Sequence, residues 1–157
     1  MKINLLEKII GSAFFTGYIP LASGTFGSIA ALLIYYFVPN FEKPYIIIPA
    51  IIFVFLAGIY VGTKFEIVYG KDPAECTIDE VAGMWISLLF IPKDFLLILI
   101  AFIVWRAMDI IKPFPAKKAE ALDGGLGIML DDVVSGIYSL FIVQLILVIF
   151  KGYLINS

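Results

Sequence analysis

The sequence predicts an all-α fold, a small polytopic membrane helix bundle of four to five helices. Its 157 residues are 62% apolar and only 15% charged, whereas soluble domains are about 45–50% apolar, glycine included, and about 25% charged. Several apolar runs also approach the roughly 20 residues that a helix needs to cross the hydrocarbon layer. We therefore predict one membrane domain over residues 1–157.

Five apolar segments follow one another along the chain. Pro44–Gly62 and Val133–Phe150 are long enough to span a bilayer, whereas Thr25–Val38 is short, at about 21 Å. Val81–Pro92 is shorter still, and we predict that it forms a hairpin with Phe95–Ile111 that does not fully cross.

The N-terminal segment resembles a secretory signal, because Lys2 and Lys8 accompany an apolar stretch. Glu7, Gly11 and Pro20 interrupt that pattern. An amphipathic interfacial helix that leads into the first span is therefore the prediction.

The basic residues divide unequally between the two sides of the predicted bundle. Loops 39–43 and 92–94 and the C-terminal tail hold three of the 11, and the other side holds eight. The positive-inside rule therefore places that second side in the cytoplasm. The cytoplasmic side also holds all of the acidic residues except Glu42 and Asp94. Acidic residues contribute little to orientation, so their concentration on one side indicates a function. The basic residues are Lys43, Lys93 and Lys151 on the first side, and Lys2, Lys8, Lys64, Lys71, Arg106, Lys112, Lys117 and Lys118 on the second.

Composition excludes several kinds of chemistry. The chain has no histidine, one cysteine (Cys76) and a net charge of −2, so His-ligated metals, His nucleophiles, an intrachain disulfide and a nucleic-acid interface that relies on a basic surface are excluded. A phospho-cysteine enzyme would need arginine six residues after Cys76, where Ala82 stands. Catalysis must use carboxylates, Lys, Arg, hydroxyls or a hard metal ion.

The segment Ser23–Ser28 is the first candidate site. Gly24 and Gly27 allow a backbone to approach a ligand closely, and Ser23 or Thr25 is expected to cap the following helix, whose free N–H groups would bind an anion. The structural alternative is close helix packing through small residues.

The second candidate is the acidic segment 72–83. Thr77 and Glu80 have the spacing of a capping box, which would explain Glu80 structurally. Asp79 has no such explanation, and Gly83, four residues later, is expected to open space on its face.

The third candidate is the segment 106–113. Arg106, Asp109 and Lys112 recur every three residues and are expected to share one helical face. A charge within an apolar membrane helix costs about 2.5–3.5 kcal/mol on insertion scales. The alternative is an interfacial cluster in which Arg106 pairs with Asp109.

The fourth candidate is the pair Asp131 and Asp132, which follows a glycine-rich stretch. Adjacent carboxylates repel each other, and a helix N-terminus just before Val133 would stabilise only one of them. A cation or a basic partner is therefore expected beside them.

Together these segments contain the components of metal-assisted phosphoryl chemistry at a membrane surface. The carboxylates suit Mg²⁺, which prefers oxygen ligands. The basic residues and the glycine-rich turn suit a phosphate group. The carboxylates are Asp79, Glu80, Asp109, Asp131 and Asp132; the phosphate candidates are Gly24, Thr25, Gly27, Arg106 and Lys112, with Lys117 a further source of positive charge.

Four motifs resemble those of the phosphatidylglycerophosphatase A family. They are S-G-T-F-G-S at 23–28, D-E-V-A-G-M-W at 79–85, R-A-M-D-I-I-K-P-F-P at 106–115 and G-G-L-G-I-M-L-D-D-V-V-S-G at 124–136. The resemblance covers about three-quarters of the chain, and its specificity comes from all four motifs in order on one predicted face.

This resemblance implies a multi-pass protein of the bacterial inner membrane, with its site in cytoplasmic loops. It would be an Mg²⁺-dependent enzyme that hydrolyses the lipid phosphatidylglycerophosphate to phosphatidylglycerol and phosphate. Catalysis would fall to Asp79, Asp109, Asp131 and Asp132, with the metal held by Asp79, Glu80, Asp131 and Asp132. Phosphate would be held by Arg106 and Lys112.

Two other classes of function remain open at this point. A small ion- or proton-coupled transporter would use intramembrane carboxylates as relays, although it should place them at mid-span rather than at span ends. A scaffold protein would use the clustered charges as interface pairs.

Overall fold

The computed structural model describes residues 2–155, with side chains over 2–149, and these residues form seven α-helices and no β-strand. The all-helical prediction is confirmed, and five of the helices have ten residues or more. Met1, Asn156, Ser157 and the side chain of Lys151 lie outside the described residues. The helices are α1 (Leu5–Gly11), α2 (Ser23–Phe37), α3 (Pro44–Tyr69), α4 (Ile78–Ser87), α5 (Phe95–Ile111), α6 (Ala116–Ala119) and α7 (Gly125–Ile155).

Two helices are long and apolar enough to cross a membrane: α3, with 26 residues, and the first 25 residues of α7. At 1.5 Å per residue each is about 38 Å long. Both expose large apolar side chains, such as Phe53 and Leu56 on α3 and Phe141 and Leu145 on α7. These surfaces suit contact with lipid and would be costly in water.

Helix α4 lies at the centre of the bundle. It packs against α2, α3, α5 and α7, and nine of its ten residues are buried, Glu80 being the exception. Ten residues give a length of about 15 Å, which is too short to span a bilayer. The surrounding helices thus hold the start of α4, with Asp79 and Glu80, at one end of the bundle.

Glycines allow α3 and α7 to cross closely. A Cβ on Gly125 would lie 2.2 Å from the Ile59 carbonyl oxygen, and one on Gly58 would lie 2.2 Å from the Met129 sulfur. The Gly125 N–H also donates to the Thr63 hydroxyl, at 2.9 Å. Small residues at a helix crossing bring the two backbones into direct contact.

Gly125→Ala is expected to destabilise the bundle by about 1–3 kcal/mol, because the new methyl meets backbone that cannot move aside. Gly58→Ala is the matched control on the same crossing. Its methyl meets the flexible Met129 side chain, so a smaller loss is expected. The temperatures at which the two purified variants aggregate in detergent test this ranking of stability. Equal decreases in that temperature would contradict it.

Two predicted helix starts are wrong. Ser23 and Thr25 do not cap α2, because the helix begins at Ser23 and its N-cap is Ala22, with no side-chain hydrogen bond. Helix α7 begins at Gly125, well before Val133. Asp131 and Asp132 therefore lie within the helix, whose first residue, Gly125, packs directly on the α3 backbone.

The two ends of the bundle differ in charge. At one end, Lys93 pairs with Glu42 at 3.3 Å and donates to the Val38 carbonyl at 2.6 Å. At the other end, Lys64 pairs with Glu7, and the acids of α4 and α5 lie beside those of α7. The helix directions thus collect the acidic candidates at one end, as the charge pattern predicted.

Candidate functional site

Three carboxylates from three helices converge at the charged end of the bundle. Glu80 comes from the first turn of α4, Asp109 from the last turn of α5 and Asp132 from the first eight residues of α7. Each offers an oxygen, and these oxygens lie within 4.8 Å of one another. We call Glu80, Asp109 and Asp132 the carboxylate triad.

Glu80 is free to join the triad because the predicted capping box does not form. Thr77 precedes α4 but makes no side-chain cap hydrogen bond, and its hydroxyl lies 3.0 Å from that of Thr16 instead. Contact with the Thr16–Tyr18 turn thus replaces the local cap, and the capping-box prediction is wrong.

Arg106 lies against the triad. Its Nη1 is 2.7 Å from Glu80 Oε2 and 3.0 Å from Asp109 Oδ2. Burial and the negative charge of Asp109 raise the pKa of Glu80 to about 7, against the lowering effect of Arg106. With all groups ionised, three carboxylates and one guanidinium leave two negative charges, which matches a divalent cation.

The oxygens in and around the triad fit a hard cation. Asp132 is 3% exposed, and its Oδ2 is buried without a hydrogen-bond partner, as are the Oδ1 atoms of Asp79 and Asp131. Burial raises the pKa of Asp79 well above its ordinary value, with Glu80, Asp131 and Asp72 adding to the shift. Unpaired buried carboxylates are costly unless a cation compensates them, and an all-oxygen set suits Mg²⁺.

Asp131 belongs to a neighbouring cluster around Lys112. The Lys112 Nζ lies 2.8 Å from Asp131, 3.1 Å from Glu120 and 4.0 Å from Asp72. Burial lowers the pKa of Lys112, but these acids raise it above its ordinary value overall. The predicted shared face is wrong for Lys112, because α5 ends at Ile111 and Lys112 adopts a left-handed backbone. Its ammonium group pairs with these three acids, whereas Arg106 pairs with Glu80 and Asp109.

A polar cavity of about 400 Å³ adjoins the triad. Glu80 and Arg106 form one wall, and Ser23 and Gly24 bring the N-terminus of α2 to another. Free N–H groups at a helix N-terminus, together with a guanidinium, make a site suited to phosphate. The remaining lining residues are Gly17, Tyr18, Ile19, Pro20, Ala22, Ala74 and Glu75.

The other phosphate candidates lie apart from this cavity. Thr25, Gly27 and Lys112 do not line it. Gly27 packs instead on α4, where an added Cβ would lie 2.9 Å from the Thr77 Cβ. Gly27 therefore serves close helix packing, the structural alternative to phosphate binding. Gly24 both packs closely and faces the cavity.

Ser28 and Trp105 support Glu80. From the sequence, Ser28 was expected only to allow close helix packing, and Trp105 was not predicted to have a role. The Ser28 hydroxyl lies 2.9 Å from the Gly24 carbonyl oxygen and 3.1 Å from Glu80 Oε2, and its proton is shared between these two acceptors. It accepts a hydrogen bond from the Trp105 indole at 2.9 Å. The Trp105 ring also fills the space beside Gly83, where a Cβ would lie 2.1 Å from the ring. Gly83 therefore accommodates Trp105 and does not open space for Asp79.

Trp105→Phe is expected to lower kcat about tenfold, because it removes the donor that orients Ser28 toward Glu80 while keeping a ring against Gly83. Phosphate release from a lipid phosphomonoester measures the effect. Trp85→Phe is a matched control, because the Trp85 indole donates to the Ala31 carbonyl, away from the triad. If Trp105 acts through Ser28, the effects of Trp105→Phe and Ser28→Ala on kcat should not add. Ser28→Ala lowering kcat as much in the Trp105→Phe background as in the wild type would contradict this pathway.

Comparisons with known proteins show which family this chain is similar to. The family model described as phosphatidylglycerophosphatase A matches residues 9–147. A Bacteroides thetaiotaomicron protein, provisionally named a phosphatidylinositol-3-phosphatase, is 35% identical over 89% of this chain and 92% of its own length. Proteins named phosphatidylglycerophosphatase A are 36% identical in Haemophilus influenzae, over 90% of both chains, and 30% identical in Escherichia coli, over 88% of this chain and 82% of that protein. No solved structure is significantly similar to the chain.

Proposed function

This chain belongs to the phosphatidylglycerophosphatase A family of phosphatases, and we propose that it hydrolyses phosphatidylglycerophosphate to phosphatidylglycerol and inorganic phosphate. The observation that carries the proposal is the carboxylate triad beside Arg106 and the α2 N-terminus. Together these groups provide a cation site and an anion site side by side, which is the arrangement that phosphomonoester hydrolysis needs.

The proposal assigns Mg²⁺ to the triad of Glu80, Asp109 and Asp132. These residues supply the oxygen ligands and the two net negative charges described above. When bound, Mg²⁺ would polarise the phosphoryl group and favour activation of the attacking water. Asp79 and Asp131 were also predicted metal ligands; in the proposal they lie at the edge of the metal site.

Residues of the chain would perform the remaining steps. Arg106 and the first N–H groups of α2 would hold the phosphoryl oxygens and stabilise charge that develops on them. Asp79 and Asp131 keep a buried carboxylate oxygen without a partner, so they are the candidates to orient the attacking water and accept its proton. Lys112, held among Asp131, Glu120 and Asp72, would fix the position of Asp131.

The proposal also places the enzyme in a bacterial inner membrane as a multi-pass protein with the site toward the cytoplasm. Support comes from the two long apolar helices and from the excess of basic residues at the triad end. A lipid headgroup would then reach the cavity from the membrane surface while its acyl chains remain in the bilayer.

The substrate of the Bacteroides relative suggests a second candidate, a phosphoinositide monoester. The relative's name is the observation that favours it. Both candidates are diacyl lipids with a terminal phosphate monoester, so the same cation and anion groups would serve either, and the cavity beyond Gly24 would discriminate between them.

One experiment tests both candidates. The purified protein in detergent micelles is given phosphatidylglycerophosphate, phosphatidylinositol 3-phosphate, phosphatidic acid and lysophosphatidic acid, with Mg²⁺ or with EDTA. We expect the fastest phosphate release from phosphatidylglycerophosphate, abolished by EDTA and restored by Mg²⁺. Faster release from the inositol lipid would reverse the assignment. No release from any lipid, with or without Mg²⁺, would favour the transporter or scaffold interpretation.

A further inference from the structure

Glu75 brings a carboxylate from outside the triad to the polar cavity. It lines the cavity together with Tyr18 and Ala74, and it lies half-buried in the loop that leads into α4. Among the residues whose side chains the structure describes, none forms an ion pair or a hydrogen bond with this carboxylate. The proposed function leaves Glu75 without a role.

Two glycines of one chain segment mark different parts of the cavity. A Cβ on Gly17 would lie 2.0 Å from the Glu75 carbonyl oxygen, so this glycine packs on the Glu75 backbone. A Cβ on Gly24 would lie 2.0 Å from Glu80 Oε1 and 3.4 Å from Arg106 Nη1. The cavity therefore extends from the Arg106 side, where phosphate would bind, to a side formed by Glu75.

Backbone hydrogen bonds hold the Glu75 loop in place. The Cys76 N–H donates to the Pro73 carbonyl at 2.9 Å, and the Thr77 N–H donates to the Gly11 carbonyl at 2.8 Å. With the glycine contact described above, these bonds fix the backbone on both sides of Glu75. The carboxylate is thus presented from a defined position.

Tyr18 places a hydroxyl group near Glu75. Its hydroxyl oxygen lies 3.1 Å from that of Tyr69. Burial raises the pKa of Tyr18, and Tyr69 and the negative charge of Glu75 add to the shift, so the Glu75 carboxylate lies within electrostatic reach of this hydroxyl. Two hydroxyls that share one hydrogen bond leave one O–H proton free to donate. This side of the cavity therefore combines an acceptor with a donor.

A carboxylate is unfavourable in a cavity that binds phosphate alone. It repels a phosphomonoester, which carries negative charge itself, and no described side chain compensates it. An alcohol reverses this effect, because its O–H can donate to the carboxylate in a charge-assisted hydrogen bond. Its oxygen can accept the free tyrosine proton at the same time.

We propose that Glu75 binds a hydroxyl group of the lipid headgroup, beside the phosphate that Arg106 would hold. The proposal rests on the proposed function, because it takes the ligand to be a lipid phosphomonoester. In phosphatidylglycerophosphate the group is the hydroxyl on the middle carbon of the terminal glycerol. The cavity, at about 400 Å³, has the volume of a small-molecule site and accommodates headgroup carbons as well as phosphate.

Glu75 would therefore determine specificity rather than perform chemistry. A site built to bond a substrate hydroxyl rejects an analogue that lacks it, because the polar group of the site is then left unpaired. Phosphatidylglycerophosphate and phosphatidylinositol 3-phosphate both carry a hydroxyl next to the phosphate-bearing carbon, whereas phosphatidic acid has none. The subsite selects the first two lipids over the third.

Glu75→Ala tests the proposal with two lipids. One is phosphatidylglycerophosphate, and the other has 1,3-propanediol in place of the terminal glycerol, so that only the hydroxyl is missing. We expect the wild type to favour the first lipid about tenfold in kcat/KM. In Glu75→Ala the ratio should fall to about one, through a loss confined to the hydroxylated lipid. Asp123→Ala removes a fully exposed carboxylate outside the cavity and should keep the wild-type ratio.

A second measurement does not depend on turnover. Titration calorimetry of the purified protein in detergent micelles compares 3,4-dihydroxybutylphosphonate with 4-hydroxybutylphosphonate. Neither can be hydrolysed, and the first carries the additional hydroxyl. We expect the wild type to bind the first about tenfold more tightly and Glu75→Ala to bind the two equally.

The outcomes separate this proposal from the proposed function. A preference for the dihydroxy phosphonate that Glu75→Ala removes would support the subsite even if phosphatidylglycerophosphate were not hydrolysed. Normal hydrolysis with equal kcat/KM for the two lipids, or an unchanged ratio in Glu75→Ala, would overturn the subsite and leave the proposed function standing. An equal loss on both lipids in Glu75→Ala would make Glu75 a structural residue and also overturn the proposal. No hydrolysis and no binding of either phosphonate would overturn both.

Discussion

Asp132→Asn is expected to lower kcat about 10³-fold, because it removes a carboxylate of the triad and one of the two net negative charges that would hold a divalent cation. Phosphate release from phosphatidylglycerophosphate with saturating Mg²⁺ is the measurement. The Mg²⁺ concentration needed for half-maximal activity should rise as well.

The same substitution is expected to leave the protein folded and to raise its melting temperature without Mg²⁺. Asp132 Oδ2 is buried without a hydrogen-bond partner, so an amide replaces an uncompensated charge by a neutral group. Asp123→Asn is the matched control, because Asp123 lies fully exposed at the same end of the bundle, and it should behave as wild type. Full activity of Asp132→Asn would exclude Asp132 from the proposed metal site.

Arg106→Gln is expected to lower kcat/KM about 10²-fold, because the phosphoryl group loses its guanidinium partner in the cavity. The same substitution should not weaken Mg²⁺ binding. Without Arg106, the triad carries three net negative charges instead of two, so Mg²⁺ is expected to bind at least as tightly as in the wild type. Kinetic titration with substrate and with Mg²⁺ separates the two effects.

Lys117→Gln is the control for Arg106→Gln. Lys117 is exposed near the same end of the bundle, so its loss changes the net charge of that end without touching the cavity, and near-normal kcat/KM is expected. Weakened Mg²⁺ binding in Arg106→Gln would mean that Arg106 organises the triad rather than binding phosphate.

Local pattern was enough to predict much of the site. The family resemblance is confirmed, and Glu80, Asp109, Asp132, Arg106 and Gly24 were all named from sequence. The four charged residues lie beside apolar segments, where a charge is costly, and this cost marks them as candidates for function without any knowledge of the fold. Gly24 was named because it lies in a segment rich in small residues. Trp105 and Ser28 carried no such signal, because an aromatic and a small hydroxyl residue are ordinary in a helix bundle.

Several of the predictions that failed depended on where a helix begins or ends. Thr77 has the spacing of a capping residue, but its hydroxyl forms a hydrogen bond with the Thr16 hydroxyl instead of capping α4. Lys112 continues the three-residue spacing of Arg106 and Asp109, but the helix ends one residue before it. A contact distant in sequence decided the first case. In the second, the local turn at Lys112, just before Pro113, ended the helix.

The sequence by itself determined that the chain is a helical bundle suited to a membrane and that its acids collect at one end, because apolar length and charge are properties of each segment alone. Only the tertiary structure decided which acids meet. Packing of the short α4 among longer helices brings Glu80 to Asp109 and Asp132, and leaves Asp131 with Lys112. Distances between helices depend on how their side chains pack, and that packing involves residues far apart in the chain.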